Sequence, residues 1–236
     1  MNKKVAILQS NYIPWKGYFD LMSYVDEFVL YDDMQYTKRD WRNRNKIKTN
    51  DGVKWLSIPV EVKGKYFQPI KDTKVSDKHW GKKHWNSIQQ NYSKSKFFDE
   101  YKSKFETIYL QSSEERLSII NYEFIRIVNE ILGIDTKIRW SSDFSLVDGK
   151  SERLLGICQD CNATEYISGP AAKGYLDESV FLNNDIRVTW MDYSGYPEYE
   201  QRFDPFEHGV TILDLIFNEG PQAYKFMKHV RYNESV

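Results

Sequence analysis

Short apolar segments alternate with amphipathic ones along the first 40 residues, and this alternation restricts the chain to a layered α/β architecture. Residues 5–9, VAILQ, form an apolar run that ends in a polar residue, as buried strands often do. Pro14 and Gly17 then indicate a turn, and apolar side chains follow at helical spacing. A second apolar run covers residues 28–31. The stretch therefore predicts a strand–turn–helix–strand unit.

The second half of the chain repeats this pattern. Residues 137–140 and 165–167 are strand-like and enclose a helical segment at 151–159, and residues 186–191 predict one more strand. Strand–helix–strand spacing implies parallel pairing. We therefore expect one α/β domain over residues 1–236, built on a Rossmann-like parallel sheet flanked by helices.

Two further elements interrupt the alternation. Residues 47–62 predict a β-hairpin around a turn at 49–52. Residues 78–132 predict a mostly helical insert, and Gly133 stands where a C-terminal glycine stop is expected.

Polar residues follow the predicted parallel strands, and such strands present their carboxyl ends at one edge of the sheet, where ligands bind. The residues expected at this edge are Gln9, Asp32, Gln35, Ser141, Ser142, Ser168 and Gly169. The serines and the glycine would let a phosphate approach the backbone, although capping of the next helix is an equally physical role. Three nearby rings, Tyr12, Trp15 and Tyr18, either stack on a ligand or form a small core under the turn.

A basic segment follows the second strand. Between Lys38 and Lys48, six of eleven residues are Lys or Arg, interleaved with Trp and Asn. This composition fits a phosphate or carboxylate partner better than a purely solvated face, and Arg44, Asn45 and Lys48 are the candidate ligands.

Composition limits the remaining classes. The net charge of −1 argues against stable nucleic-acid binding, and the aromatic content of 16% favours stacking sites without excluding an aromatic core. No apolar run approaches the roughly 20 residues of a membrane span, so we expect a cytoplasmic protein. The oligomeric state stays open.

Neither the cysteines nor the histidines predict a metal site. Cys158 and Cys161 lack a second ligand pair and are expected to be reduced thiols. His79 and His84 are five residues apart, about 140° around a helix, which prevents chelation. Each remains a candidate general base or phosphate donor.

Three motifs give the chain a family resemblance. The first is a Gln-x-x-Tyr-x-Pro-Trp-x-Gly-Tyr opening, present as Gln9, Tyr12, Pro14, Trp15, Gly17 and Tyr18. The second comprises Asp32, Asp33, Gln35 and Tyr36, followed by Trp41, Arg44 and Asn45. Later matches are Ser141–Ser142, Ser168–Gly169 with Tyr175, Tyr199 with Gln201, and residues 213–215. With these motifs, the chain resembles the WbqC-like proteins of bacterial surface-polysaccharide (O-antigen) gene clusters.

The resemblance implies a transferase that modifies a nucleotide-linked amino sugar, for example by glycyl or another acyl transfer. Asp32, His79 or His84 would act as base, and Tyr175, Tyr199 and Gln201 would join the substrate site. The opening also resembles HIGH-type nucleotidyltransferases, but residues 15–18 (WKGY) lack the defining histidines. A nucleotidyltransferase-like enzyme, with Mg²⁺ on Asp32 or Asp33, is therefore one alternative. A non-catalytic sugar-nucleotide or glycan-binding module is another.

Overall fold

The computed structural model describes residues 2–230 and contains a five-stranded parallel sheet at its centre. The sheet strands are β1 (Lys4–Leu8), β2 (Glu27–Leu30), β5 (Lys137–Trp140), β6 (Glu165–Ser168) and β7 (Arg187–Trp190), in the spatial order β5-β2-β1-β6-β7. A separate antiparallel hairpin consists of β3 (Arg44–Thr49) and β4 (Gly52–Ser57). The predicted α/β class and the parallel pairing are confirmed.

Seven α-helices surround these strands in the described part of the chain. They are α1 (Lys16–Tyr24), α2 (Trp80–Tyr92), α3 (Phe98–Gln111), α4 (Leu117–Leu132), α5 (Lys150–Asp160), α6 (Glu178–Leu182) and α7 (Ile212–Glu219). Helices α2 to α4 occupy the predicted insert. The predicted glycine stop is confirmed, because Gly133 is left-handed (φ 65°) and its N–H donates to the last turn of α4. The sequence also predicts a closing helix over residues 221–230, but residues 220–226 form a 3₁₀ segment.

Side chains alternate between the two faces of the sheet. On β1, Val5 and Ile7 pack with α5, whereas Ala6 packs with α1 and the helical insert. Strand β2 divides in the same way, with Val29 on the first face and Phe28 on the second. The near-continuous apolar runs in the sequence arise from this burial on both sides.

The chain leaves the sheet in opposite directions from β1 and β6. From β1 it passes through α1 to β2 on one side, whereas from β6 it passes through α6 to β7 on the other. In open α/β sheets a crevice forms where the strand order reverses in this way. The topology therefore places a crevice between the ends of these two strands, beyond Leu8 and Ser168.

The hairpin lies against the turn that connects β1 to α1. Asn45 donates from Nδ2 to the carbonyl oxygens of Tyr12 (3.1 Å) and Ile13 (2.8 Å). These bonds support Ile13 in an unfavourable positive-φ conformation of 37°. The predicted hairpin range of 47–62 is wrong, since pairing covers residues 44–57. Pro59 has no N–H to extend the ladder.

No helix among residues 2–230 is long and apolar enough to cross a membrane.

Two helical glycines provide a matched test of packing. A Cβ added at Gly81 in α2 would lie 2.0 Å from the carbonyl oxygen of Tyr109 in α3, whereas one at Gly156 in α5 would have nothing within 4 Å. We expect Gly81→Ala to lower the free energy of unfolding by about 1–3 kcal/mol, because the helices must separate. Gly156→Ala should raise it by about 0.5–1 kcal/mol through the lower helix cost of alanine. Urea unfolding of both variants measures this, and equal effects would contradict the close α2–α3 contact.

Candidate functional site

A cleft of about 490 Å³ opens at the carboxyl ends of β1 and β6, where the strand order reverses. Its volume falls within the roughly 300–1,000 Å³ typical of small-molecule sites. Its polar and aromatic lining residues are Gln9, Tyr31, Arg42, Lys150, Arg153, Tyr166, Ser168 and Tyr175. None of the described lining residues is a carboxylate, whereas three are cations. The cleft therefore favours an anionic ligand.

Arg42 is the most buried of these cations. Only 9% of its surface is exposed, because the residue lies between the β1 turn and α4. Its guanidinium donates to Oδ1 of Asn11 and lies 3.6 Å from a carboxylate oxygen of Asp40. Its Nε is buried with no hydrogen-bond acceptor among the described residues. A buried guanidinium with an unused donor is stabilised by an oxyanion partner.

The other two cations come from the start of α5. Gly149 precedes this helix with φ 94°, and Lys150 and Arg153 follow on its first turn. Arg153 donates from Nε to the carbonyl of Val147 at 2.7 Å. A carboxylate oxygen of Glu152 would lie 2.1 Å from a Cβ at Gly149, so this acidic group lies at the helix N-terminus. A phosphate binding to the same N–H groups would have to displace it.

Aromatic rings complete the cleft. Tyr166 is buried in its floor, Tyr31 is half-buried and Tyr175 is exposed at its rim. The Lys150 ammonium lies 5.9 Å from the centre of the Tyr175 ring. Burial raises the pKa of Tyr31, so its hydroxyl stays protonated at neutral pH. Tyrosines of this kind offer a ring face for stacking together with a hydroxyl donor.

The structure brings four of the predicted site residues together here. Gln9, Ser168, Gly169 and Tyr175 all line the cleft. The side-chain amide of Gln9 has no partner among the described residues, whereas its backbone carbonyl accepts a bond from Tyr18 Oη at 3.2 Å. A free amide at the end of β1 is available to a ligand.

A second pocket of about 270 Å³ adjoins the Arg42 side of the cleft. It is lined by Asn11, Pro14, Trp15, Trp41, Asn45 and Gly209. The Trp15 ring folds over Gly17, where an added Cβ would lie 2.3 Å from a ring carbon. Asn11 joins the two cavities, since it lines this pocket and accepts the hydrogen bond from Arg42.

Asp32 lies beneath the cleft rather than on its surface. The residue is 1% exposed, and its carboxylate accepts bonds from the backbone N–H of Ser10 (2.8 Å), from Ser10 Oγ (2.7 Å) and from Ser118 Oγ. Burial raises the pKa of this carboxyl, and the serine donors oppose the rise. Its predicted role as base stays a prediction, but these contacts are those of a group that positions the end of β1.

Tyr12 and His84 belong to a buried network behind the turn. Nε2 of His84 lies 3.2 Å from the Ser57 carbonyl and must carry the proton, so Nδ1 accepts from Tyr12 Oη at 2.8 Å. Tyr12 Oη in turn accepts from Tyr109 Oη, also at 2.8 Å. Burial lowers the pKa of His84 to about 4. This histidine is therefore neutral and enclosed at neutral pH.

Several other candidates also lie outside the cleft. Lys48 donates from Nζ to the carbonyl of Pro205, and Arg44 stacks 4.2 Å over the centre of the Trp55 ring. Tyr199 and Gln201 both donate to Asp214, at 2.7 Å and 3.0 Å. Burial raises the pKa of the Asp214 carboxyl. The hydrogen bonds from Tyr199 and Gln201 to Asp214 stabilise the packing of α7.

The last group comprises Ser141 and Ser142 after β5, Gln35 after β2, and His79 before α2. Ser141 donates to Asp33 at 2.6 Å, whereas Ser142 is exposed. Gln35 donates from Nε2 to the Tyr66 carbonyl at 2.8 Å and borders a different surface cavity. His79 is exposed, immediately before α2. The positions of these residues do not test their predicted roles.

Sequence reasoning missed five of the polar and aromatic cleft residues: Tyr31, Arg42, Lys150, Arg153 and Tyr166. Arg42 lies within the basic segment, but no sequence signal separates it from Arg44. Lys150 and Arg153 are marked only by the start of a helix after a predicted strand. Because ligands bind where such helices begin, that position is the signal that identifies them.

Fold and cleft together define an α/β protein with a basic, aromatic-lined crevice at the switch point of a parallel sheet. The chain belongs to the WbqC-like protein family, whose profile matches residues 9–226. It is 50% identical over 229 residues to the uncharacterized protein Rv1507c of Mycobacterium tuberculosis, covering 97% of this chain and 99% of that protein. No solved structure matches the chain.

The depressed pKa of His84 predicts a pH-dependent stability. An unfolded histidine titrates near 6.5 and the folded one near 4, so the unfolded chain binds more protons between these values. The His84 contribution is complete above about pH 6.5 and is lost as the pH falls toward 4, up to about 3 kcal/mol. We expect His84→Gln to flatten the dependence of unfolding free energy on pH in this window. The exposed His79→Gln variant is the control, and an identical slope in both variants would contradict the assignment.

Proposed function

We propose that the switch-point cleft binds the phosphates of a nucleotide-linked sugar and that the protein is a transferase acting on that sugar. The observation that carries the proposal is the convergence of Arg42, from the segment before β3, with Lys150 and Arg153, from the start of α5, on a cleft whose described lining residues include no carboxylate. A diphosphate satisfies the unused donor of Arg42 and the N–H groups at the start of α5.

The rest of the cleft suits the remaining parts of such a ligand. Tyr31 and Tyr175 offer ring faces to a base or sugar, and Gln9 and Ser168 offer neutral hydrogen-bonding groups. A backbone approach is open at Gly169, where an added Cβ would first meet Tyr193 at 3.8 Å. Membership of the WbqC-like family supports a role in surface-polysaccharide synthesis. The reaction that we propose is the transfer of an acyl or glycyl group to an amino sugar.

The phosphate contacts in this proposal differ from those predicted from sequence. Lys48 is 2% exposed and its ammonium is bound to a carbonyl, and Arg44 lies on the hairpin. Arg42, Lys150 and Arg153 take the place of these residues, because they face one cavity.

A nucleotidyltransferase on the same cleft is the second candidate. It would use Mg²⁺, which usually binds one or two carboxylates plus the substrate phosphates. Among residues 2–230, no group of three His, Cys, Asp or Glu side chains is arranged to hold a metal. Asp32 is occupied by serine donors, and Asp33 is paired with Lys71 and Ser141. The described residues therefore fit a metal ion poorly unless the substrate supplies most of the ligands.

The experiment that tests the proposal is a binding and turnover screen with uridine, guanosine and thymidine diphosphate sugars, with and without Mg²⁺. We expect a sugar nucleotide to raise the melting temperature and to be consumed when an acyl or aminoacyl donor is supplied. Release of pyrophosphate instead would favour the nucleotidyltransferase. Binding of several sugar nucleotides without consumption of any would favour a binding module.

Lys150→Ala tests the phosphate site with little risk to folding. The Lys150 side chain is exposed and forms no hydrogen bond or ion pair with any other residue of the range 2–230, and its ammonium only approaches the Tyr175 ring, so thermal stability should not change. We expect binding of the sugar nucleotide to weaken by about 1.5 kcal/mol or more, because a charge-assisted bond to phosphate is lost. Calorimetric titration measures this.

Two further variants test where the phosphate site lies. Arg44→Ala, in the same basic segment as Arg42 but on the hairpin, should leave nucleotide binding unchanged. Glu152→Gln should strengthen it, because a carboxylate at the start of α5 no longer competes with phosphate. Weaker binding in Arg44→Ala with normal binding in Lys150→Ala would move the phosphate site to the hairpin.

Asp32→Asn separates a positioning residue from a base. An amide in place of the carboxylate directs an N–H₂ group at the serine donors, so we expect a loss of about 1–3 kcal/mol in unfolding free energy. Ser118→Ala, which removes one of the donors, should lose a smaller amount. Unchanged stability with turnover reduced about 10²-fold or more would instead identify Asp32 as the base.

A further inference from the structure

Two tryptophans form an exposed aromatic face on the hairpin. Trp41 and Trp55 are 41% and 40% exposed, and their ring centres are 5.3 Å apart with an angle of 38° between the planes. Trp55 projects from β4, and Trp41 lies in the segment before β3. Indole is a large apolar group, so two neighbouring exposed rings are a candidate binding surface.

Cations border this face without carboxylate partners. Lys46 is opposite Trp55 in the hairpin register, and its ammonium lies 6.0 Å and 5.4 Å from the ring centres of Trp41 and Trp55. No described carboxylate pairs with Lys46. The Arg44 guanidinium covers Trp55, and its buried Nε has no described acceptor. The face therefore combines two indole rings with one cation stacked over Trp55 and a second cation beside both rings.

The face is continuous with the cavities already described. Trp41 also lines the 270 Å³ pocket, with Trp15 among its other walls. Asn11 in that pocket is hydrogen-bonded to Arg42, which lines the switch-point cleft. A path of rings, Trp55, Trp41 and Trp15, thus leads from the outer hairpin toward the proposed nucleotide-sugar site.

The chemistry of this path fits a carbohydrate chain. The C–H faces of pyranose rings pack on indole rings, and a row of separate rings suits successive sugars better than one small molecule. The unpaired cations select negatively charged sugars such as uronates. Single-stranded nucleic acid also stacks on aromatics, but it requires a basic groove along its backbone, and only two cations contact these rings.

We propose that the Trp41–Trp55 face and the adjoining 270 Å³ pocket form a binding site for an acidic oligosaccharide. The site lies outside the switch-point cleft, and the inference is independent of the proposed function, in which the nucleotide-linked sugar itself receives the acyl group. One end of the bound oligosaccharide would lie beside Trp15, next to the hydrogen-bonded Asn11–Arg42 pair that joins the pocket to the cleft.

Binding of defined probes to the full chain tests the inference. The acidic probes are tetragalacturonate and a hyaluronan tetrasaccharide, the neutral probe is maltotetraose, and a thymidine octamer represents nucleic acid. Tryptophan fluorescence and calorimetry follow binding. We expect at least one acidic tetrasaccharide to bind about tenfold or more tightly than maltotetraose.

Variants of the hairpin assign the site. We expect Trp55→Ala to weaken binding of the acidic probe at least about tenfold, and Lys46→Gln to weaken it while leaving the weak maltotetraose binding unchanged. Lys54→Gln, which removes a cation on the same strand as Trp55 that is hydrogen-bonded to Ser87 on α2, should bind normally. Phe67→Ala, which removes an exposed aromatic ring elsewhere, should also bind normally. Unaltered melting temperatures show that each variant is folded.

Three results would overturn the inference: no acidic probe binds, binding survives Trp55→Ala, or the thymidine octamer binds more tightly than both acidic probes. Binding of the sugar nucleotide at the cleft is measured separately. Trp55→Ala should leave sugar-nucleotide binding unchanged, and Lys150→Ala should leave oligosaccharide binding unchanged. Absence of sugar-nucleotide binding at the cleft would therefore not contradict the oligosaccharide site. Absence of oligosaccharide binding at the hairpin would likewise not contradict the proposed nucleotide site.

Discussion

The geometry of the cleft depends on one buried carboxylate. Asp32 accepts bonds from the backbone and hydroxyl of Ser10 and from Ser118 on α4, so it connects the ends of β1 and β2 to the helical insert. Asn121 extends the network, donating to Ser10 Oγ at 3.1 Å and to the Arg42 carbonyl at 2.9 Å. A buried charge is tolerated only where its hydrogen bonds are satisfied, so these donors fix both Gln9, beside Ser10, and Arg42.

Arg42, in contrast to Asp32, is a buried charged group whose hydrogen bonds are incomplete among the described residues. Its guanidinium is largely buried, yet its Nε has no acceptor among residues 2–230 and the closest carboxylate oxygen in that range is 3.6 Å from the guanidinium. Burial of an incompletely paired charge costs stability, and a ligand anion offsets that cost. The fold therefore satisfies Asp32 internally and leaves the Nε of the neighbouring Arg42 without an acceptor among the described residues, as the proposed phosphate site requires. This asymmetry distinguishes a binding cleft from a structural ion pair.

The sequence predicts the layers of the fold well and its site only in part. Strands such as 5–8 and the glycine stop at Gly133 follow from local periodicity and backbone conformation. The site requires knowledge of which loops meet. Within one basic segment, Arg42 reaches the cleft, Arg44 stacks on Trp55 and Lys48 is buried against Pro205. These differences arise from the position of the hairpin on the β1 turn, which is a tertiary contact.

The structure of the turn after β1 explains why the cations of the cleft do not come from the start of α1. In many α/β proteins the first strand, turn and helix bind phosphate at the helix N-terminus. Here the Trp15 ring covers Gly17, and the Lys16 ammonium is directed to the Pro197 carbonyl at 2.9 Å, where burial lowers its pKa to about 8. The start of α1 is thus closed by an aromatic ring and has no cation facing the cleft. The start of α5, on the opposite face of the sheet, carries Lys150 and Arg153 instead, so the proposed phosphate site lies on the β6 side of the crevice.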